Sequence, residues 1–284
     1  MDTTPLPDYL VRFWGVRGSI PAPGRSTIRY GGNTSCIELC LGGRRLIFDG
    51  GTGLRVLCDR LRPGEFLDAF MFFTHYHWDH IQGVPFFSPM FEPGHLIKIH
   101  GTQTNTGEPI EHHFRERILG PSSPIPVSPI EATLSFSTIS PGDSFLVDGD
   151  IKIETSQLNH PNGAMGYRVT WNGRTVVYAT DTEHLPDRLD DRVLNLSRDA
   201  DMLIYDAMYT DEEYHNPRSS KVGWGHSTWQ EGLKVAQAAG VKHFVVFHHE
   251  PNRSDDALDK IEKEMQSRSP EAFIAREGTE FKLD

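Results

Sequence analysis

Residues 69–80 read AFMFFTHYHWDH, an apolar run that ends in three histidines and one aspartate. The unbroken apolar run predicts a buried strand. Alternate side chains of an extended chain point the same way, so His75, His77 and Asp79 are expected to converge. His80 follows at the start of a predicted helix. Imidazole and carboxylate are ligands that zinc, manganese and iron accept, so this stretch predicts a metal site at a strand end.

Three later segments end in the same kinds of side chain. His160 follows IKIETSQLN, Asp181 follows TVVYAT, and the pair His248 and His249 follows HFVVF. Each segment predicts a strand, and strand ends at one edge of a sheet come close together. Two metal ions about 3.5–4 Å apart can share a bridging hydroxide and activate it near neutral pH. The sequence therefore predicts a hydrolase whose nucleophile is a metal-bridging hydroxide.

Two further polar residues stand at predicted element ends. Asp206 follows MLIY, and His226 lies in GHST, directly ahead of a predicted helix. A carboxylate that accepts a hydrogen bond from one imidazole nitrogen holds the ring in one tautomer and raises its basicity. We therefore expect a catalytic role for His226. No GxSxG, Walker or GxGxxG motif offers another chemistry.

The chain has 284 residues, 37% of them hydrophobic, and a formal net charge of −11. The negative charge disfavours a long nucleic acid as partner, since that affinity depends on Lys and Arg that neutralise phosphates. No segment approaches the roughly 20 apolar residues of a membrane span, and the first residues show no secretory signal. Three cysteines without metal-type spacing, Cys36, Cys40 and Cys58, predict reduced thiols and a cytoplasmic location.

The order of strand and helix signals determines the expected fold class. Apolar strands come in runs of two to four, separated by helices rather than alternating with them. That order favours packed sheets with outer helices over a doubly wound parallel fold. The predicted helices cover 53–61, 108–119, 227–239 and 254–267. Ser227 and Ser254 stand at the N-cap positions of the last two. We expect one domain over 1–284, with the Pro- and Ser-rich insert at 102–131 as a lid.

Residues THYHWDH match the HxHxDH signature of the metallo-β-lactamase superfamily, and the chain resembles that superfamily from RLIFDGGTG (45–53) to FVVFHHEP (244–251). The resemblance implies an α+β fold, the αββα sandwich of two packed mixed β-sheets with helices on the outer faces. It implies two divalent metal ions, zinc or manganese, with iron as a further option. The implied ligands are His75, His77 and His160 for one ion, Asp79, His80 and His248 for the other, and Asp181 as the bridge. Asp49 takes the place of a carboxylate that supports the ligands, and the choice between His248 and His249 stays open.

GHST at 225–228 resembles a motif shared by the tRNA-processing endonuclease RNase Z and small cyclic phosphodiesterases. In that branch the histidine protonates the leaving alkoxide, and an acidic residue of a HEAT-like motif supports it. LIYDAMY aligns with that motif, with Asp206 in the acidic place and Tyr205 where a histidine usually stands. The resemblance implies His226, Asp206 and Asp79 as the catalytic residues.

Departures from the branch favour a small substrate. The chain lacks the long basic arm with which RNase Z grips tRNA, and it lacks the cysteine-rich zinc site often found in the related phosphoribosyl cyclic phosphodiesterase. We expect hydrolysis of a small, cyclic nucleotide or ribose phosphodiester with His226 as general acid. Ser227, Lys221 and Arg253 are the expected substrate contacts. No long nucleic acid and no membrane is expected as partner, and a homodimer stays open.

Three other functions stay open at this point. A thioesterase or lactonase would use the same metals without a general acid from GHST, and an RNase Z-like endoribonuclease would act on a longer substrate. A non-catalytic metal-binding scaffold predicts a missing ligand, whereas every expected position is filled. The remaining histidines are expected to be surface or structural residues: His95, His100, His112, His113, His184, His215 and His243.

Overall fold

The structure, a computed structural model, describes residues 9–62, 64–104, 106–120 and 130–283. The chain divides into two compact units. The first unit comprises Met1–Pro21, Asn33–Ile139 and Glu277–Asp284, and the second comprises Ala22–Gly32 and Ser140–Arg276. Each unit is built on one mixed sheet of seven strands.

The regular structure of the described residues is as follows. The strands are β1 (Tyr9–Gly15), β2 (Cys36–Leu41), β3 (Arg44–Phe48), β4 (Asp68–Phe72), β5 (Leu96–Gly101), β6 (Thr133–Thr138), β7 (Ser144–Val147), β8 (Ile151–Leu158), β9 (Ala164–Trp171), β10 (Arg174–Ala179), β11 (Met202–Asp206), β12 (His243–Phe247), β13 (Phe273–Ile274) and β14 (Glu280–Lys282). The α-helices are α1 (Gly53–Cys58), α2 (Trp78–Ile81), α3 (Ile110–His113), α4 (Asp191–Ser197), α5 (Asp211–Tyr214), α6 (Trp229–Ala239) and α7 (Asp255–Arg268). Two 3₁₀ helices (Val84–Phe86 and Ser88–Phe91) and a π-helical turn (Phe114–Ile118) complete the set.

The sheet of the first unit has the strand order β14-β1-β2-β3-β4-β5-β6. It is antiparallel from β14 to β3 and parallel from β3 to β6. Four of the five residues of β4 are buried, because an inner parallel strand is covered on both faces. Ala69, Met71 and Phe73 share a core with residues of α1 and α3. Because β3 and β4 run parallel, with Phe48 opposite Phe72, the residues that follow both strands lie at one edge.

The sheet of the second unit has the strand order β13-β12-β11-β10-β9-β8-β7. It is parallel from β13 to β10 and antiparallel from β10 to β7. Asp206, the last residue of β11, lies opposite Phe247 at the end of β12. The loops that carry Asp181 and His248 therefore begin at the same edge as Asp206, since parallel strands end on the same side.

Helix α6 begins directly after GHST and packs on the sheet of the second unit. Thr228 is its N-cap, and the Thr228 Oγ1 accepts a hydrogen bond from the Glu231 N–H at 3.2 Å. Gly240 ends the helix in the left-handed conformation, at φ 71°. Gly232 permits a close approach to β11, because a Cβ there would lie 2.5 Å from Cδ1 of Tyr205. The cap and this contact hold the helix start, and the GHST residues before it, in one position.

Each predicted strand and helix is present, with ends shifted by a few residues. Ser254 is the N-cap of α7, as predicted. The N-cap prediction for Ser227 is wrong, because Thr228 takes that role and the Ser227 hydroxyl is hydrogen-bonded to His184 and Tyr205. The sequence missed β6, β13, β14, α4 and α5, which are short or carry weak apolar patterns.

Part of the predicted insert at 102–131 is built into the first unit. Helix α3 and the π-helical turn follow β5, and Ile110 and Phe114 are buried in the core of that unit. Residues 105 and 121–129 of the insert lie outside the described residues. Its role as a lid and the single-domain organisation stay predictions.

The three cysteines are free thiols, as predicted. Cys36 and Cys40 are buried in β2, and Cys58 is half-buried at the end of α1. Burial raises the pKa of Cys40 to about 12 and that of Cys58 to about 11, so both stay protonated near neutral pH. Among the described residues, no helix has the length and apolar character to cross a membrane.

Candidate active site

The histidine loop, residues 73–80, leaves β4 and turns into α2 in the first unit. His77 is the N-cap of α2, so the chain becomes helical directly after it, earlier than an extended motif predicts. The His75 ring centroid lies 4.5 Å from that of His77 and 4.3 Å from that of His80. His80 Nε2 is 3.3 Å from Asp79 Oδ2. The structure brings His75 close to His77 and His80, and it brings Asp79 close to His80 through the first helical turn rather than along a strand.

Asp49 and Thr74 hold His80 at the edge where β3 and β4 end. Asp49 Oδ2 accepts a hydrogen bond from His80 Nδ1 at 2.9 Å, and Asp49 Oδ1 accepts one from the Thr74 backbone N–H at 2.8 Å. All three residues are buried. A carboxylate on Nδ1 selects the tautomer in which Nε2 carries the lone pair that a metal ion needs. The position of Asp49 therefore agrees with the supporting role expected for it.

Four non-glycine residues at or beside the candidate ligands have a strained backbone. Ser19, Asp49, Asp181 and His248 have φ angles of 62°, 59°, 56° and 60°, in the left-handed region that favours glycine. Ser19 uses this conformation to donate its N–H to Asp79 Oδ2 at 2.8 Å. Such residues cost on the order of 1–3 kcal/mol each and concentrate at functional sites. Two of these strained residues, Asp181 and His248, are candidate ligands. Four further non-glycine residues with positive φ are not candidate site residues, namely Asp148, Asn162, Asn172 and Asp199.

Asp181 faces two imidazoles in the second unit. Its Oδ1 is 3.2 Å from His248 Nε2, and its Oδ2 is 3.6 Å from His160 Nε2. His160 Nδ1 donates a hydrogen bond to the Gly225 carbonyl at 2.9 Å, which turns Nε2 toward Asp181. Asp181 and His248 are buried, and the His160 side chain is 2% exposed. A carboxylate with one oxygen toward each imidazole has the arrangement needed to bind two metal ions, one through each oxygen.

His248, and not His249, belongs to this cluster. One possible ligand atom from each of Asp181, His226 and His248 lies within 4.8 Å of the others. His249 instead donates from Nε2 to the Ala275 carbonyl at 2.8 Å. The geometry therefore favours His248 in the choice that the sequence left open.

His226 and Asp206 form a buried hydrogen-bonded pair. His226 Nδ1 donates to Asp206 Oδ2 at 2.8 Å. Asp206 also accepts the backbone N–H groups of Thr182 at 3.0 Å and Met208 at 3.2 Å. The His226 ring stacks on the His248 ring with centroids 4.9 Å apart. The hydrogen bond from Nδ1 to Asp206 holds the ring in one orientation and leaves Nε2 as the nitrogen that does not face Asp206.

Glu183 is a buried residue of this site that sequence reasoning missed. Glu183 Oε1 accepts hydrogen bonds from the Gly223 N–H at 2.6 Å and the Tyr214 hydroxyl at 2.5 Å, and Oε2 accepts one from the Gly225 N–H at 2.9 Å. Burial and the hydrogen bond to Glu183 raise the pKa of Tyr214. Glu183 thus holds the loop that leads into His226. The only feature of the sequence that could have indicated a role for Glu183 is its position two residues after Asp181.

The three expected substrate contacts have different surroundings. Ser227 is buried and hydrogen-bonded within the protein. Arg253 donates to the Glu213 carboxylate at 2.6 Å. Lys221 Nζ lies 4.1 Å from the centroid of the exposed Trp224 ring. Their contacts with substrate stay predictions.

The donor chemistry of each unit suits divalent metal ions. His80 and His160 each have Nδ1 engaged with an oxygen acceptor, a carboxylate and a carbonyl respectively, which leaves Nε2 as the candidate ligand atom. This arrangement is usual for histidine ligands in metal sites. Imidazole and carboxylate donors accept zinc and manganese alike. The residues present therefore fit divalent metal binding.

The family comparison covers most of the chain. The family model described as "Beta-lactamase superfamily domain" matches residues 44–249. This chain belongs to the β-lactamase superfamily. The matched residues run from β3 to the residue after His248, so they include every candidate ligand and His226.

Curated relatives and solved structures agree with this assignment. The chain is 26% identical to the Ribonuclease Z of Gemmatimonas aurantiaca over 96% of each chain. It is 23% identical to the Ribonuclease Z of Haloferax volcanii over 95% of this chain and 94% of that relative. The metallo-β-lactamase fold protein YhfI from Bacillus subtilis matches with a TM-score of 0.72 and 21% identity, covering 97% of this chain and 99% of that one. The short form of human tRNase Z matches with a TM-score of 0.68 and 18% identity, covering 97% and 99%.

These comparisons confirm the superfamily, the branch and the fold class predicted from the sequence. They also confirm the predicted enzyme class. This member of the superfamily is a metal-dependent hydrolase with the metallo-β-lactamase fold.

Proposed function

We propose that this protein hydrolyses a small phosphodiester, a cyclic nucleotide or a ribose phosphodiester, with His226 as the general acid. The observation that carries the proposal is the buried pair of His226 and Asp206, with 2.8 Å between Nδ1 and Oδ2. Hydrolysis of a phosphodiester breaks a P–O bond and expels an alkoxide, and a positioned acid that protonates the departing oxygen lowers the barrier. Support also comes from the relatives named Ribonuclease Z, because a ribonuclease cleaves the phosphodiester bonds of RNA.

We further propose two divalent metal ions, zinc or manganese, with iron as a third option. The proposed ligands are His75, His77 and His160 for one ion, Asp79, His80 and His248 for the other, and Asp181 for both. When bound, such ions supply an activated water as nucleophile and neutralise negative charge on the phosphate. The family match and the donor chemistry described above support this assignment.

The other steps of the proposed reaction depend on side chains and backbone groups of the protein. Protonated His226 gives its Nε2 proton to the departing oxygen. Asp206 keeps the Nδ1–H bond and stabilises the positive charge until that transfer. Asp49 holds His80 in one tautomer, and the Ser19 N–H fixes the orientation of Asp79.

A second candidate function is endonucleolytic cleavage of RNA. It is favoured by the Ribonuclease Z relatives, one of which covers 96% of this chain at 26% identity. The net charge of −11, from 28 Lys and Arg against 39 Asp and Glu, argues against a long polyanion. We therefore prefer the small substrate. The cytoplasmic location and the homodimer stay predictions.

A substrate screen separates these functions. The protein, loaded with Mn²⁺ or Zn²⁺, is incubated with cyclic mononucleotides, cyclic dinucleotides, 2′,3′-cyclic phosphates, a tRNA precursor with a 3′ trailer, a thioester and a lactone. We expect turnover of a small phosphodiester. Cleavage of the tRNA precursor alone would contradict the small-substrate proposal and support the second candidate function, cleavage of RNA. Turnover of the thioester or lactone alone would contradict phosphodiester chemistry.

A further inference from the structure

The 215–224 segment, HNPRSSKVGW, precedes GHST in the second unit and exposes two apolar side chains. Trp224 is 56% exposed and Val222 is 59% exposed. The proposed hydrolysis uses neither of them. An indole carries a large apolar surface and a flat π face, so Trp224 together with Val222 offers a surface on which an aromatic ligand can pack.

The same segment is positive within an acidic chain. It contains Arg218 and Lys221 but no Asp or Glu, whereas the whole chain has a net charge of −11. Lys221 Nζ lies 4.1 Å from the Trp224 ring centroid and 5.7 Å from that of Tyr209. The Tyr209 ring lies in turn 6.3 Å from the His226 ring, between centroids. A cation beside an exposed aromatic ring is the combination that binds nucleobases together with their phosphates.

The backbone that carries Trp224 is held on both sides. Glu183 accepts the N–H groups of Gly223 and Gly225, the two neighbours of Trp224. Both glycines adopt positive φ angles, 85° and 86°, which other residues rarely adopt. His226 follows directly after Gly225. The backbone at Trp224 is therefore held in place two residues before His226, and a ligand that binds there need not order the loop.

We propose that Trp224 stacks on the base of a nucleotide substrate and that Lys221 pairs with the phosphate of that nucleotide. The inference rests on the proposed phosphodiesterase function and narrows the substrate to a nucleotide phosphodiester, as opposed to a base-free one. Every base has a π face, so purine and pyrimidine nucleotides are both expected to bind.

Steady-state kinetics on two substrates test the inference. 2′,3′-cyclic AMP carries a base, and glycerol 1,2-cyclic phosphate does not. Trp224→Ala is expected to raise KM for 2′,3′-cyclic AMP about tenfold, the order of effect of losing one aromatic stacking partner. KM for the glycerol phosphodiester should stay unchanged, and Trp224→Phe should restore most of the loss. Equal changes on both substrates, or no change on either, would overturn the inference.

Phe66→Ala provides the matched control for these kinetics. Phe66 is an exposed aromatic residue of the first unit, 61% accessible, and no role in binding or catalysis is assigned to it. Its replacement should leave both KM values unchanged. A rise in KM for 2′,3′-cyclic AMP equal to that of Trp224→Ala would show a general effect of lost aromatic surface and would overturn the inference.

Binding without turnover separates this inference from the proposed function. 5′-AMP and ribose 5-phosphate are titrated calorimetrically into the metal-loaded protein and its Trp224→Ala and Lys221→Ala variants. We expect Trp224→Ala to weaken 5′-AMP about tenfold and to spare ribose 5-phosphate, and Lys221→Ala to weaken both. If the protein hydrolyses phosphodiesters but Trp224→Ala binds 5′-AMP normally, the inference is wrong and the function stands. If 5′-AMP binding needs Trp224 but no phosphodiester is hydrolysed, base binding stands and the function fails.

Discussion

The two ligand-bearing regions of the molecule are built in opposite ways. In the first unit, the candidate ligands come from the single stretch 73–80 behind β4. In the second unit they follow separate strands, at His160, Asp181 and His248, with His226 from a fourth segment. The ligands of the first group are close together because they are neighbours in the sequence. The second depends on the strand order of the sheet: Asp181 and His248 follow strands of its parallel part, and His160 follows β8 in its antiparallel part.

Each region also pairs a buried carboxylate with a histidine. Asp49 lies 2.9 Å from His80 Nδ1, and Asp206 lies 2.8 Å from His226 Nδ1. The two pairs are alike in geometry, yet the proposed roles differ. His80 would present a lone pair at Nε2, whereas His226 would present a proton there. The neighbours of Nε2, and not the carboxylate, therefore decide the role.

The largest expected effect tests whether both regions are needed. His75→Ala and Asp181→Ala each remove one proposed ligand. Each should lower the bound metal and reduce phosphodiester turnover more than about a thousandfold, since metal ions stabilise the transition state by several kcal/mol. Metal content by mass spectrometry and kcat are the measurements, with the exposed His112→Ala as control. Full metal content and activity in Asp181→Ala would remove the second region from the ligand set.

The next effect separates proton transfer from metal binding. His226→Ala should keep its metal content, but its kcat should fall by a factor of about 10²–10⁴, the usual contribution of a general acid. His243→Ala, at the opposite end of β12 from His248, is the matched histidine control and should retain activity. Unchanged turnover in His226→Ala would rule out the assigned proton transfer.

A smaller effect concerns the positioning of His226 by Glu183. Glu183→Gln replaces one acceptor oxygen with an amide N–H, which loses the hydrogen bond to either the Gly223 or the Gly225 N–H. We expect kcat to fall about tenfold, because a lost buried hydrogen bond of about 1–3 kcal/mol loosens this loop. The acid side of the kcat–pH profile should shift as well. A lower Tm with unchanged kcat and pH profile would show a purely structural role, and the exposed Glu264→Gln is the control.

The smallest effect concerns the ion pair of Glu213 and Arg253, 2.6 Å apart. Burial raises the pKa of Glu213, but the hydrogen bond and charge of Arg253 together with the hydrogen bonds to Thr210 lower it, and the pKa is lowered overall. A carboxyl with a lowered folded-state pKa contributes stability above its unfolded pKa and loses it as pH falls through the folded value. Glu213→Gln should therefore flatten the loss of stability below pH 4.5, by less than about 1 kcal/mol because Glu213 is partly exposed.

Thermal unfolding from pH 7 to pH 3 measures this effect. Glu212→Gln, at the exposed neighbouring position, serves as the control. Identical pH dependence in the two variants would mean that the ion pair adds no stability.

Much of the site could be predicted because strand ends are local signals. The apolar runs before His75, Asp181 and His248 identify those residues as the ends of buried strands without knowledge of the fold. The hydrogen bonds that orient the site were not predictable in the same way. Ser19 donates its own backbone N–H to the distant Asp79 carboxylate, and the Glu183 carboxylate accepts the N–H of the distant Gly223. No residue type or spacing indicates such contacts.

The amino-acid sequence by itself determined the superfamily, the strands and the candidate ligands, because side-chain periodicity and motif spacing are properties of short segments. Only the tertiary structure decided that His248 rather than His249 faces Asp181, and that Glu183 holds the loop before His226. These contacts depend on which strands lie side by side and in which register, and hydrophobic pattern alone does not specify neighbours across a sheet.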